Sequence, residues 1–425
     1  MLRGAWVWGL TLVAGCSGLF GYDEVSFEQQ GHAAGSGGAG AKDAASDGGA
    51  SGWEAGQEAG AGQGGAGQGG MGGLEAGPQG GAAGSMPAGG SAGTGGSACP
   101  DGTCSPGESC ESCAQDCGAC PVAEPNQLVG IHFWDDAAGT ELAGPKPYYD
   151  VEAFESAVDP NTVVAWLQQR EAAGARGIIR IDYQWGYSVP KNDADRQTYN
   201  GRLVAIAKAV AGAGLKTHHY VLGNESNLPG EGAASVTEVG EAYGAAHAAL
   251  AAAGPWSIAP VLLTTPPSTA AQYGGGDGSY LTGVLNESKA RAPIDGIAVH
   301  AYENHDGGGS ANLFMATVLY QAQAIQATGL SGLPIFVTEM NIDLNLAGDA
   351  VGATFVNNAY SRLDAWNQGG EGNPNAAGLK VAAGCWFVWH DDGNWGHLAL
   401  QGSHLQTKEA FKAAFAKGYS SGWPQ

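Results

Sequence analysis

The sequence predicts an α/β chain in which residues 125–425 form a (β/α)8-type barrel, preceded by a disordered Gly-rich linker and a small disulfide-rich module. Three observations carry this. From Gln127 onward, short apolar runs alternate with Ala-rich amphipathic segments, the pattern of repeated βα units around a parallel sheet. Polar and aromatic residues stand just after the apolar runs, where a barrel gathers its working residues. Glycine and cysteine, finally, are concentrated in separate upstream stretches that have no apolar pattern.

The candidate strands cover 128–133, 177–183, 215–222, 258–264, 294–302, 335–341 and 381–390, with helices between them at 162–173, 200–213, 236–253, 311–327 and 353–367. Seven strands in about 300 residues suit an eight-stranded barrel with one βα unit missed, shortened or lost. A doubly wound open sheet is the alternative. It would carry a Gly-rich phosphate fingerprint after its first strand, whereas Gly130-Ile131-His132-Phe133 runs into Trp134-Asp135-Asp136.

At the N-terminus one basic residue, Arg3, precedes an apolar run from Ala5 to Ala14, too short to span a bilayer. Residues 1–15 therefore read as a signal peptide. Val13-Ala14-Gly15-Cys16 resembles the lipobox of bacterial lipoproteins, which implies acylation of Cys16, and Ser17 after it favours the outer membrane. The expected setting is a lipid-anchored protein of the cell surface or periplasm. Residues 16–98 form the linker, in which the stretch from about His32 to Ala98 is nearly all Gly, Ala, Ser and Gln and cannot build a core, so it is expected to form a coil with a reach of about 45 Å.

Residues 99–121 hold Cys99, Cys104, Cys110, Cys113, Cys117 and Cys120. In an exported chain such density implies three disulfides, although six cysteines allow about fifteen connectivities. Zinc held by the two Cys-x-x-Cys pairs is the rival, disfavoured because reduced tetrathiolates belong to the cytoplasm. Cys385, left over, reads as a buried thiol. The net charge of −23 argues against nucleic acid and anionic lipid as partners, since both need cationic patches. The membrane is thus met only through the anchor, and a monomer is expected.

The strand ends offer His132, Arg180 with Asp182, His218 and His219, Asn224-Glu225, His300 with Tyr302, Thr338-Glu339, and Trp386 with Trp389. Two carboxylates on different strand ends amid Trp, Tyr, His and Arg suit cleavage of a glycosidic bond. One acid protonates the leaving oxygen and the other carboxylate attacks the anomeric carbon. A nearby arginine keeps the nucleophile ionised, and aromatic rings stack on sugar faces.

Over residues 128–390 these motifs resemble the clan A glycoside hydrolases, TIM-barrel enzymes such as cellulases, mannanases, xylosidases and galactanases. Gly223-Asn224-Glu225 is similar to the Asn-Glu that bears the acid/base. His300-Ala301-Tyr302 is similar to the sixth-strand His-x-Tyr, and Val337-Thr338-Glu339 to the seventh-strand nucleophile. The resemblance implies Glu225 and Glu339 as catalytic residues. It also implies substrate contacts from Asn224, His300, Tyr302, a second-strand arginine at Arg180 and an eighth-strand aromatic at Trp386, with a poly- or oligosaccharide substrate and no cofactor or metal. One feature departs from the pattern: only one strand is visible between the helix at 200–213 and Glu225, where the family has two strands and a helix. Glu225 could then be a loop carboxylate that caps a turn, with Glu303 as the first substitute. A glycan-binding barrel without activity is the non-enzymatic alternative. A metal-dependent hydrolase using His132, His218, His300 and His390 is the other rival, although it lacks a close His-x-His pair on the first strand.

Overall fold

The computed structural model describes residues 123–422, except 133–137, 139–140, 143–146, 270–277, 375–377 and 392–394, together with residues 100, 103, 104, 108, 110 and 113–117. The signal peptide, Cys16, the Gly-rich linker, Cys99, Cys120 and Trp134 lie outside the described residues. In the cysteine-rich segment Cys104 is bridged to Cys117, and Cys110 and Cys113 are also in disulfides, so this Cys-x-x-Cys pair is not a thiolate metal set.

Eight parallel strands close into a barrel in sequence order. They are β1 (Val129–His132), β2 (Tyr148–Glu155), β3 (Ala175–Asp182), β4 (His219–Leu222), β5 (Val261–Thr264), β6 (Gly296–Glu303), β7 (Ile335–Ile342) and β8 (Val381–Phe387). β1 completes the ring by pairing with β8, Val129 opposite Gly384 and His132 opposite Phe387. Around them run α1 (Pro160–Ala172), α2 (Asp193–Gly212), α3 (Val236–Ala253), α4 (Ser279–Lys289), α5 (Asn312–Ala327), α6 (Asp349–Asn367) and α7 (Leu405–Lys417). Side-chain caps start the first three of these helices. Asp159 accepts from the Asn161 amide ahead of Pro160, and Ser235 and Glu238 form a reciprocal capping box at the start of α3.

The barrel has the eight strands expected of it, and the one not visible in the sequence was missed, not lost. The unseen strand is β2, upstream of β3, so the strand before Glu225 is the fourth and Arg180 lies on the third strand, not the second. β2 reads Tyr-Tyr-Asp-Val-Glu-Ala-Phe-Glu, in which carboxylates interrupt the apolar run. The fold accepts Asp150 inside because Arg170 of α1 places its Nε 3.2 Å from the carboxylate.

Strand parity sorts the side chains. On β3, Ile179 and Ile181 join the layer beneath the helices, while Ile178 joins the barrel interior with Tyr149, Val221, Leu263, Ala298, Phe336 and Cys385. Cys385 is a free, buried thiol, as its apolar surroundings in the sequence suggest. The same parity turns Trp386 outward, against Phe355 of α6 and Phe411 of α7, with its indole N–H donating to the Leu398 carbonyl. Trp386 is therefore a fully buried packing residue and not the aromatic beneath a bound sugar. Phe387, one residue on, is the eighth-strand aromatic on the inner face, edge-on to His132 at 4.9 Å and to Trp395 at 5.1 Å.

Candidate active site

The site is built where β3, β4, β6 and β7 end. Gly223 leaves β4 with φ +68, and a Cβ there would lie 2.6 Å from the Ser188 carbonyl oxygen, so only glycine allows the chain to turn beneath the β3 loop. Asn224 and Glu225 follow. Glu225 itself has φ 31, an uncommon backbone for a non-glycine residue, which aims its carboxylate at β6.

There Glu225 Oε1 lies 3.0 Å from His300 Nδ1, and Glu339 Oε2 lies 3.5 Å from the same nitrogen. His300 is held in turn by Gln321, whose side-chain amide donates to the His300 carbonyl. Glu339 is the more enclosed carboxylate. Its Oε1 accepts from Arg180 Nη1 at 2.8 Å and its Oε2 from the Tyr302 hydroxyl at 2.5 Å, while His132 Nε2 stands 3.6 Å from Oε1. Arg180 Nη1 also donates to Asn224 Oδ1 at 3.1 Å, which ties the β4 turn to the Glu339 cluster.

The environment sets the charge states. Burial alone would raise the Glu339 pKa. The surrounding His300, Arg180 and His132 and the Tyr302 hydrogen bond outweigh it and hold the group at about 2. Burial, with Arg180 and His300 close by, keeps His132 well below the usual histidine range although Glu339 pulls the other way. Two further acids face Arg180. Burial pushes Asp182 up to about 6 against the pull of Arg180. Burial and Asp182 push Glu231 up to about 7, against Arg180 and the Asn224 side chain.

Of the residues singled out from sequence, Arg180, Asn224, Glu225, His300, Tyr302 and Glu339 thus share one cluster, joined by His132 and Asp182. Trp386 does not. Glu303 does not either: its carboxylate accepts from the Phe314 amide at the start of α5, where it satisfies an otherwise unpaired helix N–H. His218 and His219 stand at the opposite end of β4 from Glu225, which separates them from His132 and His300 and removes the four-histidine metal set. Sequence reasoning missed Glu231, whose only signal was its place in the loop after Asn224-Glu225. It also missed Trp185 and Tyr187, 59% and 49% exposed in the β3 loop, where the Trp185 amide donates to Glu155 at 2.7 Å.

No protein-family model matches the chain, and no curated protein matches it. Among solved structures the chain is similar to a family 39 glycoside hydrolase from the gut symbiont Bacteroides cellulosilyticus WH2, with 12% identity and a TM-score of 0.51. That match covers 71% of this chain and 66% of the other, just under two thirds of its length. A GH128 curdlan-specific exo-β-1,3-glucanase from Blastomyces gilchristii shares 16% identity over 67% of this chain and 97% of its own, with a TM-score of 0.42. Fungal β-1,4-galactanase shares 11% over 68% and 99%, with a TM-score of 0.45. At such identities what the chain has in common with the family 39 glycoside hydrolase is its fold, the (β/α)8 barrel.

Proposed function

We propose that this chain is a retaining glycoside hydrolase acting on an extracellular polysaccharide or oligosaccharide, with Glu339 as nucleophile and Glu225 as acid/base. One observation carries the reading: two carboxylates from different strand ends meet at His300 Nδ1, and only Glu339 is enclosed by cationic and hydroxyl donors. Two oxygens at 3.0 and 3.5 Å from one nitrogen cannot be more than about 6.5 Å apart, which is compatible with the ~5–5.5 Å carboxyl separation of retaining enzymes and supports the reading.

In this mechanism Glu339, ionised and held by Arg180 and Tyr302, attacks the anomeric carbon while Glu225 gives its proton to the leaving oxygen. Glu225 then takes a proton from water as that water breaks the glycosyl-enzyme ester. Asn224 and Arg180 fix the two carboxylates relative to each other, and His300 lies between them. The exposed Trp185 and Tyr187 offer flat faces for sugar rings in place of Trp386.

The test is to screen the purified chain and its Glu339→Gln variant against plant, fungal and bacterial glycans and follow the anomeric configuration of the first product by NMR. The reading expects hydrolysis with retained configuration by the wild type and none by Glu339→Gln. An inverted product rules out the double displacement, and binding without hydrolysis identifies a glycan-binding barrel.

The placement we propose is lipid anchorage through Cys16 at the cell surface, with the cysteine-rich module oxidised and the barrel monomeric. The sequence signals support it. Cys16→Ser should move the chain from the membrane to the soluble fraction with its circular dichroism unchanged, and equal membrane retention would contradict the anchor.

A further inference from the structure

We propose a divalent transition-metal site, of the kind that takes Zn²⁺, at the floor of the barrel, made by Glu124, His218 and His219. It lies at the N-terminal end of β4, whereas Glu225 follows the C-terminal end, so it is separate from the proposed catalytic cluster. Glu124 belongs to the segment that leads into β1, His219 opens β4, and His218 stands just before it. One ligand atom from each residue lies within 4.8 Å of the others, and all three side chains are largely buried.

The hydrogen-bond chemistry asks for a cation there. His218 Nδ1 lies 2.9 Å from the Lys216 carbonyl oxygen, which can only accept, so the ring proton is on Nδ1. Its other nitrogen, Nε2, then turns a lone pair toward Glu124 Oε1 at 3.0 Å, oxygen against nitrogen, unless a second proton or a metal ion stands between them. An Nδ1–H directed at a backbone carbonyl is the support that metal-bound histidines receive. His219 Nε2 is 3.9 Å from the same Oε1, too far for a hydrogen bond yet within reach of a shared ion. Ligand atoms at ~2.0–2.1 Å from a tetrahedral ion stand roughly 3.4 Å apart. The observed 3.0 and 3.9 Å bracket that spacing.

The carboxylate is also oriented. Its other oxygen, Oε2, accepts from the Tyr149 hydroxyl on β2, which leaves Oε1 to the histidines. Tyr149 packs edge-on against the His219 ring at 5.5 Å and fixes it from the side. Two imidazoles and a carboxylate are a donor set for borderline ions such as Zn²⁺ and not for Ca²⁺ or Mg²⁺, which take oxygen ligands. The ion would tie the segment that follows the cysteine-rich module to β4, across from β2, and its role is structural.

The probe is ZnCl₂ added to the oxidised full-length chain after chelator treatment, followed by calorimetric titration, metal analysis and thermal unfolding. One zinc per chain and a rise in Tm are expected in the wild type. Glu124→Gln keeps the shape and the Tyr149 contact and should lower affinity at least tenfold, as should His218→Ala, with circular dichroism reporting that each still folds. If His218→Ala does not fold, Glu124→Gln carries the test. Absence of zinc binding to the wild type, or equal affinity in the wild type and Glu124→Gln, overturns the site and leaves Glu124 and His218 as an ion pair only.

Discussion

The Tyr302 hydroxyl donates a 2.5 Å hydrogen bond to Glu339 Oε2 from the neighbouring strand. A hydrogen bond to a charged acceptor contributes about 1.5–3 kcal/mol, equivalent to roughly one to two pKa units. Tyr302→Phe should therefore raise the Glu339 pKa from about 2. Because the proposed nucleophile acts only when ionised, activity is expected above its pKa and lost below it, so the acidic limb of the kcat/KM profile should move to higher pH. The stability that Glu339 contributes, present above its unfolded value and lost as pH falls toward 2, should fade at higher pH in the variant. An acidic limb at the wild-type position would remove Tyr302 from the control of this group.

Arg180 serves Glu339 and Asn224 through one nitrogen, and its Nε lies 3.5 Å from Asp182. A lysine ammonium cannot reach these partners from a planar fork. Arg180→Lys is expected to lower kcat/KM by about 100-fold through misplacement of the β4 turn and the nucleophile together. Steady-state kinetics that show less than about a threefold loss would mean that the charge alone suffices.

Removal of Glu225 should have a different signature from removal of Glu339. Glu225→Ala should still react with activated aryl glycosides, whose leaving groups need little protonation, and then stall for lack of a base. Azide, which needs none, should restore turnover and yield a glycosyl azide of retained configuration. Wild-type turnover of a natural glycan by Glu225→Ala would exclude it as acid/base. Glu231, whose carboxyl is pushed up to about 7 beside Asn224, would then be the acid to substitute next.

Glu303 is a contrast within the same barrel mouth. Its carboxylate binds the Phe314 amide at the start of α5. Glu303→Ala should cost about 1 kcal/mol in denaturant unfolding, as loss of a helix N-terminal partner does, and leave kcat unchanged. A collapse of kcat at full stability would give it a chemical role instead.

What the sequence made legible follows from where charge and apolarity separate cleanly. Each of the seven candidate strands holds a short apolar run, such as Ile178-Ile179 on β3 and Tyr220-Val221-Leu222 on β4, so they and the strand-end residues Arg180, Glu225, His300, Tyr302 and Glu339 could be placed in order. β2 was hidden because its carboxylates Asp150 and Glu152 are tolerated inside only through contacts made after folding, to Arg170 and to the Ala153 amide. That one omission shifted the numbering of Arg180 and created the apparent gap before Glu225. Trp386 failed for a different reason. A one-residue step in strand parity decides between the core and the cleft, and an aromatic-rich run such as Cys385-Trp386-Phe387 does not reveal its own phase. Glu231 lies in a loop, where no periodicity assigns a direction.

The pairing of β1 with β8 has a consequence for crowding. An open sheet ends in strands whose outer N–H and C=O groups are free to recruit another chain. Here His132 and Phe387 meet across the seam, and each strand of the ring has a neighbour on both sides. Copies of the barrel held close together therefore lack the backbone template from which cross-β aggregation grows, and their mutual contacts are left to side chains on the outer helices.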